Sequence, residues 1–334
     1  MTRGKRLGLA LWGAEPVPRL VAHAQLAESI GLDSIWAIDS QLLCREVTVT
    51  LAACLAATTR LQVATGVTQP ATRHPSVAAS ALATLHEMSG GRALMGVGTG
   101  FSSLRTIGMT AAKIAEVETF VDTVRRLLRK QKVVFGTVEG ELAWLPAPIA
   151  TPIVVAASGP RMTRAAPRFA DGAILHHGVS DDLLGRALGW LREGTEQVGR
   201  RAPFEISVWV PYALAADPRT ARDSIRPRVA AAVVQADAAQ FQGAEREAVE
   251  RLQATYDVGH HASAGPEHAA IVPDSLVDRY AVAGTAEEAR TGLKRLLDHP
   301  AIDRVILNPQ ISGAGAPPID QVLRDLAHQV LPGL

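Results

Sequence analysis

Only two cysteines, Cys44 and Cys54, occur among the 334 residues. They are too few for a disulfide framework and fit buried thiols of an intracellular chain. No charge of one sign dominates: 34 Lys and Arg stand against 33 Asp and Glu, a formal +1, without a long basic tract. Nucleic acid is thereby set aside as the main partner. Long hydrophobic runs are also missing. No apolar stretch approaches the roughly 20 residues that cross a bilayer, so no membrane role is expected. The basic start leads into a short apolar stretch broken by Gly13 and Pro16. It reads as a first strand, since a signal peptide would need a longer apolar core. Cytoplasm is the expected compartment. Aromatic residues make up only 4%, yet 47% hydrophobic and 20% charged residues are an ordinary globular balance.

What is present is a repeating pattern. An apolar run from Leu7 to Trp12 ends at Gly13, after which Leu20, Val21, Ala24, Ala27 and Ile30 recur at helical spacing, with Gly31 as a stop. The run from Ser34 to Ile38 then ends at Asp39-Ser40. The strands lack clean polar alternation, as expected of parallel strands covered on both faces. Strands near residues 8, 36, 64, 95, 155, 174, 208 and 306 alternate with helices. Eight such units predict an α/β fold, a closed (β/α)8 TIM barrel, over an open doubly wound sheet, and closure leaves no edge strand. Thr285 and Glu288 have the spacing of a capping box at the last repeat. Residues 132–150 read as a hairpin excursion. Residues 215–275, Ala-rich, charged and mostly helical, read as an insertion between strands 7 and 8, placed to cover the mouth or shape a subunit contact. No linker marks a second domain, so residues 1–334 read as one barrel domain.

In such a barrel the working residues lie at the C-terminal strand ends. Ser158-Gly159-Pro160 is the most specific local signal there. A glycine turn entering a helix offers backbone N–H groups and a positive helix end to a phosphate, with Arg161 or Arg164 adding charge; a tight turn without a ligand is the plainer alternative. Gly96-Val97-Gly98-Thr99-Gly100 lacks the third glycine of a dinucleotide fingerprint. It reads as a strand end kept small for an approaching ring, or as tight packing. Asp39 is placed to orient a cofactor or a proton donor, or simply to cap a turn. His176 and His177 are adjacent on a strand and so face opposite ways, which argues against a shared metal. His177 is either a substrate or ring contact or a satisfied structural histidine. His260-His261 with His268 lack a carboxylate or cysteine at ligand spacing, and no metal is expected. No Walker A sequence or nucleophile elbow is present.

Several stretches together carry a resemblance: LAESIGLDSIWAID (27–39), LQVATGVTQPATRHPSVAASALATLHEMSGGRALMGVGTG (61–100), SSLRTIGM (102–109), IVVAASGPRMTRAAPRFADGAIL (153–175) and GTAEEARTGLKRLLDHPAIDRVILNP (284–309). In these the chain resembles the luciferase-like flavin-dependent oxidoreductase superfamily. Within it, the chain looks like the branch of methylenetetrahydromethanopterin reductase and related deazaflavin-dependent enzymes. The resemblance implies a TIM barrel with an insertion, usually dimeric, binding coenzyme F420 or FMN at its mouth. It places a non-proline cis peptide at Gly66-Val67 behind the ring and Thr68 against the ring or its side chain. It sets Asp39 and Ser40 at the end of strand 2, and Gly98 and Thr99 near the tail. Ser158, Gly159, Pro160, Arg161 and Met162 match the segment holding the phosphate. The chain departs from many deazaflavin relatives in having Ser40 instead of histidine, and Phe101 instead of an acidic residue. Its first strand ends in Leu11-Trp12, without the glutamate of the reductase itself.

The implied activity is F420-dependent hydride transfer with a small organic substrate, protonation falling to Asp39 or His177. Trp12, Phe101, Met162 and Trp209 suggest an apolar mouth and hence a partly apolar or ring-bearing substrate. The alternatives are an FMN-dependent monooxygenase fed by a separate flavin reductase, and a barrel that binds flavin or another ligand without catalysis.

Overall fold

The computed structural model describes residues 6–257, 267–310 and 317–334; His260 and His261 lie outside them. Eight parallel strands form the barrel: β1 (Arg6–Leu11), β2 (Ser34–Ala37), β3 (Gln62–Thr65), β4 (Ala93–Val97), β5 (Ile153–Ala157), β6 (Gly172–Leu175), β7 (Glu205–Leu214) and β8 (Arg304–Pro309). Each pairs with the next in sequence, and β8 returns to β1 through Gly8↔Ile306, closing the sheet. All eight strands read from the sequence are therefore present.

The interior is built by alternation. One residue from each strand (Ala10, Trp36, Ala64, Leu94, Val154, Ile174, Trp209 and Ile306) meets in a single buried cluster inside the barrel. Their neighbours on the strands point outward into a second, larger core against the helices. The long helix α5 (Ile114–Leu128) shows how the outer layer is filled: Val117, Phe120, Val121, Val124, Leu127 and Leu128 recur at helical spacing and are buried. Each such side chain contributes about 1.5–3 kcal/mol of burial.

The N-terminal end of the barrel is plugged by a polar group. Arg304 is fully buried, donating from Nε to Glu205 at 3.1 Å and from Nη2 to Gln62 at 2.8 Å, with Asp33 2.9 Å from Nη1. Its guanidinium also lies over the Trp36 ring. Burial lowers the pKa of this arginine, and the two carboxylates oppose the fall.

Around the barrel, α3 (Pro75–Ser89) starts at a proline and ends at Gly90, whose φ of 61° suits glycine. Helix α11 (Ala286–Asp298) carries the expected capping box, with Thr285 N–H donating to Glu288 and Glu288 N–H to the Thr285 hydroxyl. Between β7 and β8 lie α8 (Pro218–Val233), α9 (Gly243–Thr255) and α10 (Asp274–Tyr280), the helical insertion. The structure adds elements beyond that pattern, among them a C-terminal helix, Ile319–Asp325. A short strand, Val282–Gly284, pairs with the long C-terminal half of β7. Helix α4 (Phe101–Arg105) follows β4 at once, because Gly100 turns the chain at φ 81°. Among the described residues no helix is long and apolar enough to cross a membrane.

Candidate active site

A cleft of about 190 Å³ opens at the C-terminal mouth of the barrel. Its floor follows from strand parity. The residue two positions beyond an interior residue points the same way, and Trp12, Ile38, Gly66, Ala156, His176 and Asn308 all stand in that relation to the interior cluster and line the cleft. The roof comes from α8 and the residues just after it, through Arg228, Ala231 and Gln235. Trp209 and Phe101 add apolar wall.

The Gly66–Val67 peptide is cis, at the position the resemblance indicated. A Cβ on Gly66 would stand 3.0 Å from Trp36 Cβ and 3.2 Å from the Trp209 ring. One on Gly98 would come within 2.7 Å of Val67 Cγ2. The missing side chains let Trp36 and Trp209 pack close to Gly66, and Val67 close to Gly98.

Asp39 sits at this mouth with its carboxyl 5% exposed. Both oxygens are taken: Gln41 Nε2 donates to Oδ1 at 3.0 Å, and Arg73 Nη1 donates to Oδ2. Arg73 also donates to the Thr68 hydroxyl at 3.0 Å and to Glu46 at 2.8 Å, while Gln69 donates to Gln41 at 2.9 Å. Burial raises the Asp39 pKa above the ordinary aspartate value, and Arg73 and Thr68 offset only part of the rise. For Arg73 burial acts downward, but Asp39 and Glu46 outweigh it and keep the guanidinium charged. Asp39 is thus held in a polar chain rather than left free to exchange a proton.

Of the adjacent histidines, the structure turns His176, not His177, to the cleft. His177 points to the outer layer, with Nε2 2.9 Å from the Thr163 hydroxyl and its ring edge-on to Trp190. Ile174 faces the interior, so parity sends residue 176 inward and residue 177 outward. Nε2 of His176 is buried without a hydrogen-bond partner. Burial lowers the pKa of His176 to about 4 and that of His177 to about 3, the latter also through His176. Both imidazoles are neutral near pH 7.

Asp39, Ser40, Gly66, Val67, Gly98, Thr99 and Ser158 are brought together as cleft lining. Thr68 lies just behind them on Arg73. The phosphate segment divides. Gly159 is the cap of α6 (Pro160–Phe169), and a Cβ built on it would meet open space. The Arg161 side chain is exposed, and Met162 packs into the outer core and not into the mouth. Their backbone N–H groups remain first-turn donors without intrahelical carbonyl partners. Sequence reasoning assigned no role to Arg73, Gln41, Arg228 or Gln235. For Arg73 a signal existed, an arginine in the loop after the third strand, at the working end of the barrel.

Comparison with known proteins agrees with this architecture. A curated 5,10-methylenetetrahydromethanopterin reductase of Methanolobus tindarius is 26% identical over 303 residues, 87% of this chain and 90% of that protein. An F420-dependent glucose-6-phosphate dehydrogenase of Kineococcus radiotolerans is 33% identical over 232 residues, 62% of this chain and 67% of that protein. The coenzyme F420-dependent tetrahydromethanopterin reductase structure from Methanopyrus kandleri superposes with a TM-score of 0.77 at 18% identity, over 98% of this chain and 99% of that one, a likeness of fold. The family model described as luciferase-like monooxygenase matches residues 4–302, and the chain belongs to that family.

Proposed function

We propose that the chain is a coenzyme F420-dependent oxidoreductase acting on a small, partly apolar organic substrate. The observation that carries this reading is the cleft itself. Gly66, Val67, Gly98 and Thr99 line it together with Ser158, which leads into the helix start of α6. The residues present suit a planar, phosphate-bearing group: glycines at 66 and 98 that let Trp209 and Val67 pack close at the cleft wall, open space at Gly159, and first-turn N–H groups near Ser158. The names of the Kineococcus and Methanopyrus relatives support F420 as that group.

Gly66, Val67, Gly98 and Thr99 would hold the ring, with Ser158, Gly159 and the N–H groups of Arg161 and Met162 at the phosphate. When bound, the deazaflavin supplies or accepts hydride at its central ring carbon. The protein's share is placement and exclusion of water. Trp12, Phe101 and Trp209 give the substrate an apolar wall, and α8 closes over it. Asp39, fixed by Arg73 and Gln41, orients groups at the β2 end. His176, neutral and with Nε2 unpartnered, hydrogen-bonds the substrate and handles the proton at that atom. A homodimer in a reducing compartment fits the resemblance and the two free thiols, Cys44 and Cys54.

The test is anaerobic turnover with reduced F420 and a panel of ring-bearing acceptors. Oxidation of F420 in step with acceptor reduction supports the proposal. A strict need for oxygen, reduced FMN and a reductase would instead establish a monooxygenase.

A further inference from the structure

One charged side chain in the cleft has no hydrogen-bond or ion-pair partner among the described residues. Arg228 enters from α8 and lines the mouth, yet it is only 5% exposed. Its Nε and Nη2 are buried without a hydrogen-bond partner, and its guanidinium carbon lies 5.4 Å from the centre of the Trp12 ring. The groups that act on its charge are the Tyr256 phenol and the Cys44 thiol. Burial raises the pKa of both, so neither supplies an anion near neutral pH. Burial pulls Arg228 itself down to about 10, which still leaves it charged. A buried cation stacked on an aromatic face without a counterion is costly to keep unless a ligand completes it.

The position of Arg228 says which ligand. Gln235, seven residues on, lines the same cleft and meets the Ser158 hydroxyl at 3.4 Å, at the phosphate end. The last turns of α8 and its cap, at about 1.5 Å per residue, separate Arg228 from that end by about 10 Å. One cleft therefore has two places suited to an anion, and Arg228 is the one beside the apolar wall of Trp12.

We infer that Arg228 is a substrate-specificity residue whose guanidinium receives a carboxylate, so that the substrate is an apolar or ring-bearing carboxylic acid. The planar fork matches a carboxylate with two parallel hydrogen bonds, and the adjacent tryptophan takes the carbon skeleton. The inference rests on the proposed function for the word substrate, but the anion site stands on its own geometry.

The test compares benzoate with its neutral isostere benzamide, binding being followed by tryptophan fluorescence. It uses the wild-type chain, Arg228→Met and Arg228→Lys, with F420 titrated into each protein in parallel. Benzoate should bind the wild type at least about tenfold more tightly than benzamide, as expected for a charge-assisted pair. The preference should vanish in R228M and survive in part in R228K, with F420 affinity within about twofold throughout. R228M without ligand should melt at a higher temperature than the wild type, and benzoate should raise the Tm of the wild type but not of R228M. Equal binding of the two probes, no binding of either, or a lower Tm for R228M would overturn the inference. An R228M chain that loses F420 as strongly as benzoate would assign the arginine to the cofactor, also against it. If F420 binds none of the proteins while the benzoate preference persists, the cofactor reading fails and the anion site remains.

Discussion

Arg73, from the loop that leads into α3, closes on the buried carboxyl of Asp39 at the end of β2, 34 residues earlier in the chain. The same guanidinium holds Thr68 and Glu46, so one side chain joins the ends of β2 and β3 to the start of α2 (Val47–Ala56).

Removing one member of this pair should cost more than removing both. Arg73→Met leaves the Asp39 carboxylate buried and unpaired, and a loss of about 3 kcal/mol is expected. The double variant D39N/R73M should recover at least about 1 kcal/mol of it. Urea unfolding of the wild type, D39N, R73M and the double variant measures the coupling, and strict additivity would mean that the pair is not energetically linked.

Arg304 at the opposite end makes a similar prediction for the fold alone. Arg304→Ala takes the buried cation from Asp33, leaves Glu205 with Arg6 alone and empties the space over Trp36, and should destabilise by about 3–5 kcal/mol, whereas Arg304→Met keeps that packing and should cost about 1–2 kcal/mol less. Neither substitution should alter F420 affinity while the chain is folded, as titration below the unfolding transition can show.

Much of this molecule was legible before any coordinates, and the limits have a physical cause. Each strand is apolar on both faces, so the eight strands and their order could be read but not which face of a strand looks inward. Residue 177 could thus be read as facing the mouth, whereas the parity of Ile174 turns His176 to the cleft and His177 outward. The glycines at positions 66 and 98 and the Ser158 turn carry local signals, and they lie where the pattern indicated. Arg73 carries only its place in the loop after the third strand, and Arg228 carries none. One is known by its long-range partner and the other by the lack of one, and both facts exist only once the chain is folded.

The two histidines should separate in kinetics. His176→Gln should lower kcat about 100-fold if its Nε2 handles a proton. His177→Gln should leave kcat within about threefold and instead cost about 1 kcal/mol of stability through the bond to Thr163. Steady-state assays beside thermal melts distinguish the outcomes, and equal kinetic losses would remove the special place of His176.

Stability should also depend on pH through His176. With a folded pKa of about 4 and an unfolded value near 6.5, the unfolded chain binds a proton that the native chain refuses between those limits. Its share of stability is full above about pH 6.5 and is lost as pH falls towards about 4, an effect of about 1–3 kcal/mol. H176Q should flatten that part of the profile measured by urea unfolding, and an unchanged slope would mean that the imidazole titrates normally.

Gly98 offers a direct check on the wall of the cleft. A Cβ there would come within 2.7 Å of Val67 Cγ2, so Gly98→Val must push side chains into the ring space. F420 affinity should fall by about 100-fold or more with the secondary structure retained, a steric cost of about 3 kcal/mol. Unaltered binding would place the ring elsewhere.

The most direct measurement is equilibrium titration of the purified chain with oxidised F420 and with FMN, followed by fluorescence. An F420 dissociation constant at least about tenfold below that of FMN, a difference of about 1.4 kcal/mol, is the expected result. Tighter binding of FMN, or binding of neither, would contradict F420 as the cofactor of this barrel.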